Sequence, residues 1–278
     1  MKITVILCTF NGVKYLEEQI LSILNQTKKV NKIQIFDDQS DDNTVEIISK
    51  FADKYPHIIY FHQNERRLGT KKNFELGIKL CESDIFFLAD QDDIWEANKV
   101  EIIIDFFNKN PNALLVFTNA TLIDKDGHLL DGLLWEKWNF THRLKNRWKN
   151  NFFAFNDLIM NNNKVTGATV AFRHKLKISA LPFYLPYGYW HDAWLALHAA
   201  GNNGLFFLDS CLVKYRLHTE QQIGINSISN PGNPGENFKD NVSKDFFINK
   251  ISLKYKFHYL VFKLIKKING ISHKIKSF

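Results

Sequence analysis

Cysteine is scarce in this sequence, and long apolar runs are absent. The three cysteines, Cys8, Cys81 and Cys211, lie far apart and form no Cys-x-x-Cys pair, which argues against both a disulfide framework and a zinc site. No run of about 18 apolar residues occurs, so we expect no membrane-spanning helix. The apolar stretch at the N-terminus is too short for a signal peptide. We therefore expect a cytoplasmic protein in a reducing compartment.

Acidic residues are nearly missing between positions 244 and 278, where Asp245 stands against nine lysines. The formal net charge of the chain is +7, so this segment accounts for the positive charge and the remainder is close to neutral. Because nucleic-acid-binding domains usually carry a basic face, no nucleic-acid partner is expected. The chain is long enough for one large domain with an appendage.

Strand and helix patterns alternate through the first 90 residues. Short apolar runs predict strands, and apolar residues at helical spacing predict helices. The predicted strands are 2–9, 32–36, 58–61 and 84–89, and the predicted helices are 15–26, 44–55 and 73–80. Such alternation indicates an α/β fold with a mostly parallel sheet, in which ligands bind at the carboxyl ends of the strands.

Polar segments follow three of these strands: Thr9–Asn11, Asp37–Ser40 and Asp90–Asp93. The last contains three carboxylates, and two like charges ~4 Å apart repel by about 4 kcal/mol at an effective dielectric near 20. A cation is therefore expected, and oxygen ligands suit Mg or Mn. The alternative is an acidic turn that caps the next helix.

Patterns in the rest of the chain are less regular. We predict a helix over 97–108, a strand over 113–118, a hairpin turn over 124–127, a helix near 152–160, a strand over 165–172, a helix over 193–200 and strands over 205–208 and 212–217. The remainder of 135–163 has too weak a periodicity to assign. Residues 227–237 are rich in Asn, Pro and Gly and predict a loop or linker.

Several motifs in fixed order resemble glycosyltransferase family 2, which has the GT-A fold, and its bacterial rhamnosyltransferase-like subgroup. They are Thr9–Gly12, Asp37–Thr44, Asp90–Trp95, Thr166–Ala168, His191–Trp194 and Tyr215–His218. The resemblance covers roughly residues 1–225. It implies transfer of a sugar from a UDP or dTDP donor to an acceptor hydroxyl, with inversion and a divalent metal, Mn or Mg. The Gln-x-x-Arg-Trp signature of processive synthases is absent, so one sugar per encounter is expected.

The resemblance also implies roles for residues in the donor half. Asp37 and Asp38 would bind a uracil or thymine ring, and helix capping is their alternative role. Asp90 would contact the ribose or the metal. The other implied residues are Thr9 and Asn11 for the nucleotide, and Asp92 and His218 for the metal. From the basic cluster before the third helix, Arg67 and Lys72 are candidates for the diphosphate or the base, and a solvated face is the alternative.

The implied general base is Asp192, with His191 as its rival. Asp192 is also a candidate N-cap of the helix that begins there, and the two roles are compatible. Trp190 and Trp194 would shield it from water and raise its pKa toward the operating range of a base. The other candidates for the donor or acceptor pocket are Trp95, Thr166, Gly167 and Ala168.

These assignments divide the chain into segments. A GT-A domain covers 1–225, with a nucleotide-sugar half (1–120) and an acceptor half (121–225), followed by a linker (226–242) and a basic amphipathic helical tail (243–278). The tail suits the anionic inner face of the bacterial plasma membrane and a lipid-linked acceptor. Alternatively it docks on the catalytic body or on a second subunit in a homodimer.

Two other functions fit parts of the pattern. A sugar nucleotidyltransferase also joins a nucleotide-binding parallel sheet to metal-binding carboxylates, but no glycine-rich, Lys/Arg-containing loop follows the first strand. An inactive sugar-nucleotide-binding scaffold would bind without turnover, and the presence of both Asp92 and Asp192 argues against it. The implied pathway is bacterial surface polysaccharide or lipid-linked oligosaccharide synthesis.

Overall fold

The computed structural model describes residues 1–160, 162–185, 188–219 and 221. Its strands are β1 (Ile3–Thr9), β2 (Lys32–Asp37), β3 (Ile59–Gln63), β4 (Ile85–Asp90), β5 (Ile94–Trp95), β6 (Leu115–Ile123), β7 (Leu129–Leu133), β8 (Ala171–Arg173) and β9 (Leu205–Arg216). Its helices are α1 (Leu16–Leu24), α2 (Thr44–Lys54), α3 (Thr70–Leu80), α4 (Lys99–Lys109), α5 (Leu134–Lys137), α6 (His142–Trp148), α7 (Asn151–Ile159), α8 (His174–Ala180) and α9 (His191–Gly201).

All these strands belong to one sheet, in the order β3-β2-β1-β4-β8-β6-β9-β5, with β7 paired to β6. The pairs β2–β3, β1–β2 and β1–β4 are parallel. In the second half, β8 runs antiparallel to both β4 and β6, while β6 and β9 are parallel. The predicted parallel sheet is thus confirmed for the first four strands, where helices connect the strands as crossovers.

The sheet separates two hydrophobic cores, as a sheet covered by helices on both faces must. Every residue of β1 is buried, and successive side chains alternate between the faces. Val5 and Leu7 pack with residues of α1 and α4, whereas Ile6 packs with residues of α3 and α9. Both faces of the central strands are therefore apolar, which explains their continuous apolar sequences.

The prediction of one strand over 165–172 is wrong. Gly167–Thr169 forms a short 3-10 turn, in which the N–H of Thr169 donates to the carbonyl of Thr166 and the N–H of Val170 donates to that of Gly167. Only Ala171–Arg173 is a strand. The hydroxyl of Thr169 also donates to the Thr166 carbonyl, so a local side-chain bond competes with extension.

Other boundaries also differ from the predictions. Strand β9 runs without a break from Leu205 to Arg216, and its pairing with β6 shifts register near Asn119. The stretch that periodicity could not assign contains α5 and α6, whereas the helix predicted near 152–160 is confirmed as α7. The predicted linker over 226–242 and tail over 243–278 lie outside the described residues. In the part of the chain that is described, no helix has the length and apolarity needed to cross a membrane.

Gly77 of α3 allows this helix to approach the sheet closely. A Cβ there would lie 2.7 Å from Cγ2 of Ile6 and 3.1 Å from the Phe36 ring. We expect Gly77→Ala to lower the free energy of unfolding by about 1–3 kcal/mol, because overpacking outweighs the gain in helix propensity. Urea denaturation measures this change. The control Lys79→Ala, at an exposed position of the same helix, should change stability by less than about 0.5 kcal/mol, and an equal loss in both variants would contradict the packing argument.

Candidate active site

The polar segments after β1, β2 and β4 meet at one edge of the sheet, as predicted. The hydroxyl of Thr9 donates to Oδ1 of Asp37 across 2.9 Å. Gln91 and Phe10 exchange two hydrogen bonds, since the Phe10 N–H donates to Oε1 (2.8 Å) and Nε2 donates to the Phe10 carbonyl (2.9 Å). The adjacent carboxyl ends of parallel strands thus form a connected polar surface.

Asp37 is fully buried and already hydrogen-bonded. It accepts hydrogen bonds from Thr9 Oγ1 (2.9 Å), the Ser40 N–H (3.0 Å), Ser40 Oγ (2.5 Å) and Gln63 Nε2 (3.3 Å). A carboxylate offers about four acceptor positions, and these donors occupy them. Asp37 therefore shapes the loop after β2, and it presents no open acceptor to a nucleobase in this conformation.

Asp38 is 3% exposed and organises the start of α3. Its Oδ1 accepts from Asn64 Nδ2 (2.9 Å) and the Leu68 N–H (2.7 Å), and its Oδ2 accepts from the Gly69 N–H (2.7 Å). Since these are the three bonds that Asp38 accepts within the described part of the chain, one acceptor position remains there on Oδ2. Of the two aspartates, Asp38 therefore retains the capacity to bind a ring imide.

The remaining predicted nucleotide residues lie near the same edge. The Arg67 guanidinium lies 3.7 Å from the centroid of the Phe10 ring, a cation–π contact. Asn11 is exposed and exchanges hydrogen bonds with Asp41, from Nδ2 to Oδ1 (2.7 Å) and from the Asp41 N–H to Oδ1 of Asn11 (3.0 Å). Lys72 is exposed and pairs with Glu75 at 2.7 Å. Lys72 is thus already engaged within α3, whereas Arg67 covers the loop after β1.

The acidic segment Asp90–Asp93 concentrates negative charge in a partly buried position. Burial, together with the charges of Asp92 and Asp192, raises the pKa of Asp90 to about 7. Burial together with Asp92 and Asp90 also holds the pKa of Asp93 well above its usual range. The predicted repulsion is therefore present, and the segment favours bound protons or cations.

Arg216 is the buried guanidinium that holds this segment in place, and its side chain is 2% exposed. Its backbone N–H donates to Oδ1 of Asp93 (3.0 Å) and its Nε donates to the Asp92 carbonyl (2.8 Å). Its Nη2 donates to Oε2 of Glu18 at 2.6 Å. The planar fork of arginine suits such simultaneous contacts. Arg216 belongs to the Tyr-Arg-x-His motif, but its role was not predicted.

Asp92 and His218 come together, as the metal prediction requires. His218 Nε2 lies 2.8 Å from Oδ2 of Asp92, and the two side chains are 11% and 16% exposed. His218 Nδ1 is buried and has no hydrogen-bond partner among the residues that the structure describes. A carboxylate and an imidazole next to further carboxylates form a donor set that suits Mn or Mg. These residues therefore fit a divalent metal.

Asp90 is less closely associated with that pair. Among the described residues, a trio with ligand atoms within 4.8 Å of one another occurs at Asp124, Asp126 and His128. The ligand atoms of Asp90, Asp92 and His218 do not all lie this close together. The hairpin trio is partly to fully exposed, and Oδ1 of Asp124 accepts the N–H groups of Asp126 and His128 at 2.9 Å. These bonds explain the hairpin trio as a turn structure.

Asp192 lies in the first turn of α9, which begins at His191 with Trp190 as its N-cap, so the predicted N-cap role of Asp192 is wrong. The N–H groups of Ala193 and Gly167 stabilise its ionised form, and Asn163 Nδ2 donates to Oδ1 across 3.3 Å. Burial nevertheless raises the pKa of Asp192 to about 7. The charge of Asp192 also raises the pKa of Asp90, so the two carboxylates interact electrostatically. A carboxylate with such a pKa is suited to general-base catalysis.

His191, the rival base, is enclosed between Phe74 and Gly167. Its ring stacks on Phe74 with centroids 4.1 Å apart, and a Cβ on Gly167 would lie 2.8 Å from Nε2. Burial lowers the pKa of His191 to about 3, and Lys71 contributes to this shift. An imidazole with this pKa is a weak base at neutral pH. The pKa values of the two groups therefore favour Asp192 over His191 as the base.

The predicted pocket residues divide into buried and accessible ones. Trp95 is 3% exposed, and its ring packs on Phe87 and under the Lys99 ammonium, so it belongs to the core. Thr166, Gly167 and Ala168 are buried beside Asp192. Trp190 is partly exposed. The Lys71 ammonium lies 4.6 Å from the centroid of its ring. Trp190 is therefore the aromatic candidate at the pocket.

Two lysines belong to the site although the predictions did not include them. Lys71 lies over Trp190 and interacts with the charge of Asp192, and burial lowers its pKa. Lys99 is fully buried, and burial lowers its pKa to about 7, against the opposing charges of Asp93 and Asp90. The basic cluster in the sequence contained Lys71, but nothing in the sequence distinguished it from Lys72. Lys99 resembled an ordinary residue of a helix N-terminus.

Curated relatives include several glycosyltransferases. An uncharacterized glycosyltransferase of Haemophilus influenzae is 27% identical over 97% of this chain and 78% of its own length. The dTDP-rhamnosyl transferase RfbG of Shigella flexneri is 38% identical over 41% of this chain and 38% of its own. The Escherichia coli chondroitin synthase is 28% identical over 48% of this chain, which spans only 19% of that protein.

Solved structures share the fold at low sequence identity. S. aureus TarS 1–349 in complex with UDP-GlcNAc has a TM-score of 0.60 at 17% identity, over 82% of this chain and 61% of that one. The mannosyltransferase PcManGT of Pyrobaculum calidifontis, in complex with GDP-Man and Mn2+, has a TM-score of 0.56 at 15% identity, over 82% of this chain and 59% of that one. The predicted GT-A fold is thereby confirmed.

The family comparison covers the strands and the acidic segment described above. Residues 4–167 match the family described as Glycosyl transferase family 2. The matched region includes β1, β2, β4 and Asp90–Asp93, and it ends at the Gly167 turn beside Asp192. On this match, which covers more than half of the sequence, the chain belongs to glycosyl transferase family 2.

Proposed function

We propose that this protein transfers one sugar from a nucleotide diphosphate sugar to an acceptor hydroxyl, with inversion at the anomeric carbon. The observation that carries the proposal is the electrostatic interaction of Asp192 with Asp90 of the acidic segment. Burial raises the pKa of both carboxylates to about 7, and the charge of Asp192 contributes to the raised pKa of Asp90. A base on one side and a cation-binding segment on the other are what a displacement at a sugar phosphate needs.

In this proposal Asp192 removes the proton from the acceptor hydroxyl. The hydroxyl oxygen forms a bond to the anomeric carbon as the bond from that carbon to the diphosphate oxygen breaks. The proton then resides on a carboxylate oxygen of Asp192, and the nucleoside diphosphate leaves with the bonding electron pair. The N–H groups of Ala193 and Gly167 orient Asp192 for this step.

Asp92 and His218 would hold a divalent metal, with Asp90 nearby for the ribose or the metal. Such an ion supplies charge neutralisation for the diphosphate leaving group. The protein's own part is to hold Asp92 and His218 together, which Arg216 supports through its bond to the Asp92 carbonyl. Mn is the metal present with the mannosyltransferase PcManGT, and Mg offers the same preference for oxygen ligands.

The nucleobase would lie at the loops after β1 and β2. Asp38 keeps one acceptor position there, and Arg67 and Phe10 form a flat surface. The relatives and neighbours use different donors, since their names include dTDP-rhamnosyl transferase, UDP-GlcNAc and GDP-Man. We favour UDP or dTDP because a carboxylate acceptor matches the ring imide of uracil and thymine. The donor half would be 1–120 and the acceptor half 121–225.

A thermal-shift panel tests this function directly. We expect UDP or dTDP with Mn to raise the melting temperature by about 5 °C or more, because a ligand at 100 times its dissociation constant adds about 2.7 kcal/mol of stability. GDP, CDP and metal-free samples are the controls. The sugar derivative with the largest shift identifies the donor to use in a transfer assay.

The same panel separates the proposal from the two other functions. A shift with nucleoside triphosphate alone would favour a sugar nucleotidyltransferase. A shift with a nucleotide sugar but no release of nucleoside diphosphate, with any acceptor tested, would favour a sugar-nucleotide-binding scaffold. No shift with any nucleotide would overturn the proposed function.

A further inference from the structure

Gln91 lies between Asp90 and Asp92 in the acidic segment, but its side-chain amide binds the loop that follows β1. Its Oε1 accepts the Phe10 N–H across 2.8 Å, and its Nε2 donates to the Phe10 carbonyl across 2.9 Å. Two residues of an antiparallel strand pair exchange hydrogen bonds in the same way. The amide therefore binds both backbone polar groups of Phe10, and we call this pair of bonds the Gln91 clip.

The backbone on either side of Gln91 is held by buried side chains. The Asp90 carbonyl accepts a hydrogen bond from Gln19 Nε2 across 2.8 Å, and Gln19 is fully buried. The Asp92 carbonyl accepts one from Arg216 Nε, also across 2.8 Å. Because a buried polar group that loses its partner is costly, the main chain is anchored at both neighbours of Gln91. The Gln91 clip thus starts from a fixed support.

The loop after β1, residues 10–13, is positioned by side chains of other segments. Each of its backbone N–H groups donates to a side-chain oxygen, and the acceptors are Gln91 Oε1, Ser40 Oγ, Thr44 Oγ1 and Asp42 Oδ2. The last three follow β2, whereas Gln91 follows β4. The fit is close, since a Cβ on Gly12 would overlap with Oε1 of Gln91. The Gln91 clip therefore links this loop to the acidic segment.

The loop carries the Phe10 ring, whose centroid lies 3.7 Å from the Arg67 guanidinium. In the proposed function these two side chains form the surface for the nucleobase, while Asp90 and Asp92 serve the ribose and the metal. A nucleotide joins these parts covalently, so the surface and the carboxylates must be held at a matching distance. We propose that Gln91 is a positioning residue for the donor: the Gln91 clip fixes the Phe10 surface relative to the carboxylates on either side of Gln91. This role rests on the proposed function, whereas the clip itself does not.

Binding of the whole nucleotide should depend on the clip, whereas binding of its diphosphate part should not. Gln91→Met keeps the length of the side chain but removes both hydrogen bonds. We expect it to raise the Kd of UDP or dTDP, measured with Mn, about tenfold, because part of the binding free energy then goes into ordering the loop. The Kd of inorganic pyrophosphate with Mn should change by less than about twofold, because this probe has no nucleobase to place on the Phe10 surface. Isothermal titration calorimetry measures both constants.

Amide hydrogen exchange shows whether the variant acts through the clip. The Phe10 N–H should exchange about tenfold faster or more in Gln91→Met than in wild type, since it loses its acceptor. A weaker affinity for UDP or dTDP without faster exchange at Phe10 would overturn the proposal. An equal loss of affinity for the nucleotide and for pyrophosphate would also overturn it, because the effect would then lie at the metal and the diphosphate.

Asn151 provides a matched control, because its amide makes the same pair of bonds elsewhere in the fold. Its Nδ2 donates to the Leu205 carbonyl at 2.9 Å, and its Oδ1 accepts the Leu205 N–H at 2.7 Å. These bonds join α7 to β9 and involve no residue proposed to bind the nucleotide. Asn151→Leu should lower stability but leave the Kd of UDP or dTDP within about twofold of wild type. An equal rise in Asn151→Leu and Gln91→Met would overturn the proposal, since general destabilisation would explain both.

Gly12→Ala tests the same contact if Gln91→Met fails to fold. Its Cβ would displace the Gln91 amide from Phe10, so the Kd of UDP or dTDP should again rise while that of pyrophosphate is retained. If the wild type binds UDP or dTDP and the folded variant binds it equally well, the role of Gln91 is refuted and the proposed function stands. Wild-type protein that binds neither nucleotide would overturn both.

Discussion

Asp192→Asn is expected to lower kcat by about 10²–10⁴, the range that a positioned general base contributes. The amide has nearly the same shape but does not accept the proton of the acceptor hydroxyl. Because Asp192 is not among the residues proposed to hold the donor or the metal, the melting-temperature shift caused by donor and metal should be retained. Release of nucleoside diphosphate in the presence of acceptor measures the rate.

The pH profile gives an independent check on the same residue. With a pKa of about 7, Asp192 is ionised above that pH and protonated below it, so kcat should fall as pH decreases through 7. Two pH units below the midpoint, about one hundredth of the base remains ionised. Since the pKa of Asp90 is also about 7, the profile must be recorded with saturating donor and metal.

A matched control uses the exposed aspartate of β7. Asp131→Asn removes one exposed carboxylate that is not a residue of the candidate site, and it should leave kcat and its pH profile unchanged. If Asp192→Asn retains the wild-type kcat, or if the residual kcat of this variant still falls as the pH decreases through 7, another group is the base. His191 would then be the next candidate for the base, although its pKa of about 3 predicts that kcat falls only far below pH 7.

The parts of the fold that the sequence could predict are those determined by local patterns. Strand β1 and the segment that follows it are recognisable because residues 3–8 are apolar except for Thr4, and the polar Thr9 and Asn11 follow. Parallel pairing then brings Thr9 to Asp37 and Cys8 to Asp90 without further information. The convergence of the polar segments is a consequence of topology, and topology followed from the alternation of strands and helices.

The contacts that the sequence could not predict join distant positions. Lys99 reaches Ala168 across 69 residues of sequence, and Arg216 reaches Glu18 across 198. No local periodicity distinguishes a lysine that ends in the core from one on a solvated face, because both occur at helix N-termini. The turn at Gly167 was mistaken for a strand for a similar reason, since its conformation depends on the Thr166 carbonyl and on Lys99.

Replacement of a proposed metal ligand is expected to give the second large effect. Asp92→Asn is expected to abolish the Mn-dependent part of the melting-temperature shift, because the amide loses the negative charge that a divalent ion requires. His218→Ala should weaken the same response, since the imidazole is within 2.8 Å of Asp92. The measurement is a Mn titration at a fixed concentration of UDP or dTDP, followed by a chelator.

The exposed trio on the hairpin supplies a demanding control for this assignment. The ligand atoms of the hairpin residues Asp124, Asp126 and His128 all lie within 4.8 Å of one another. Those of Asp90, Asp92 and His218 do not. Burial and charge nevertheless favour the second group, because the hairpin carboxylate Asp124 is already engaged by backbone N–H groups. We therefore expect Asp126→Asn to retain the full Mn response. A response that survives in Asp92→Asn and disappears in Asp126→Asn would move the metal to the hairpin and remove the support that it gives to the proposed reaction.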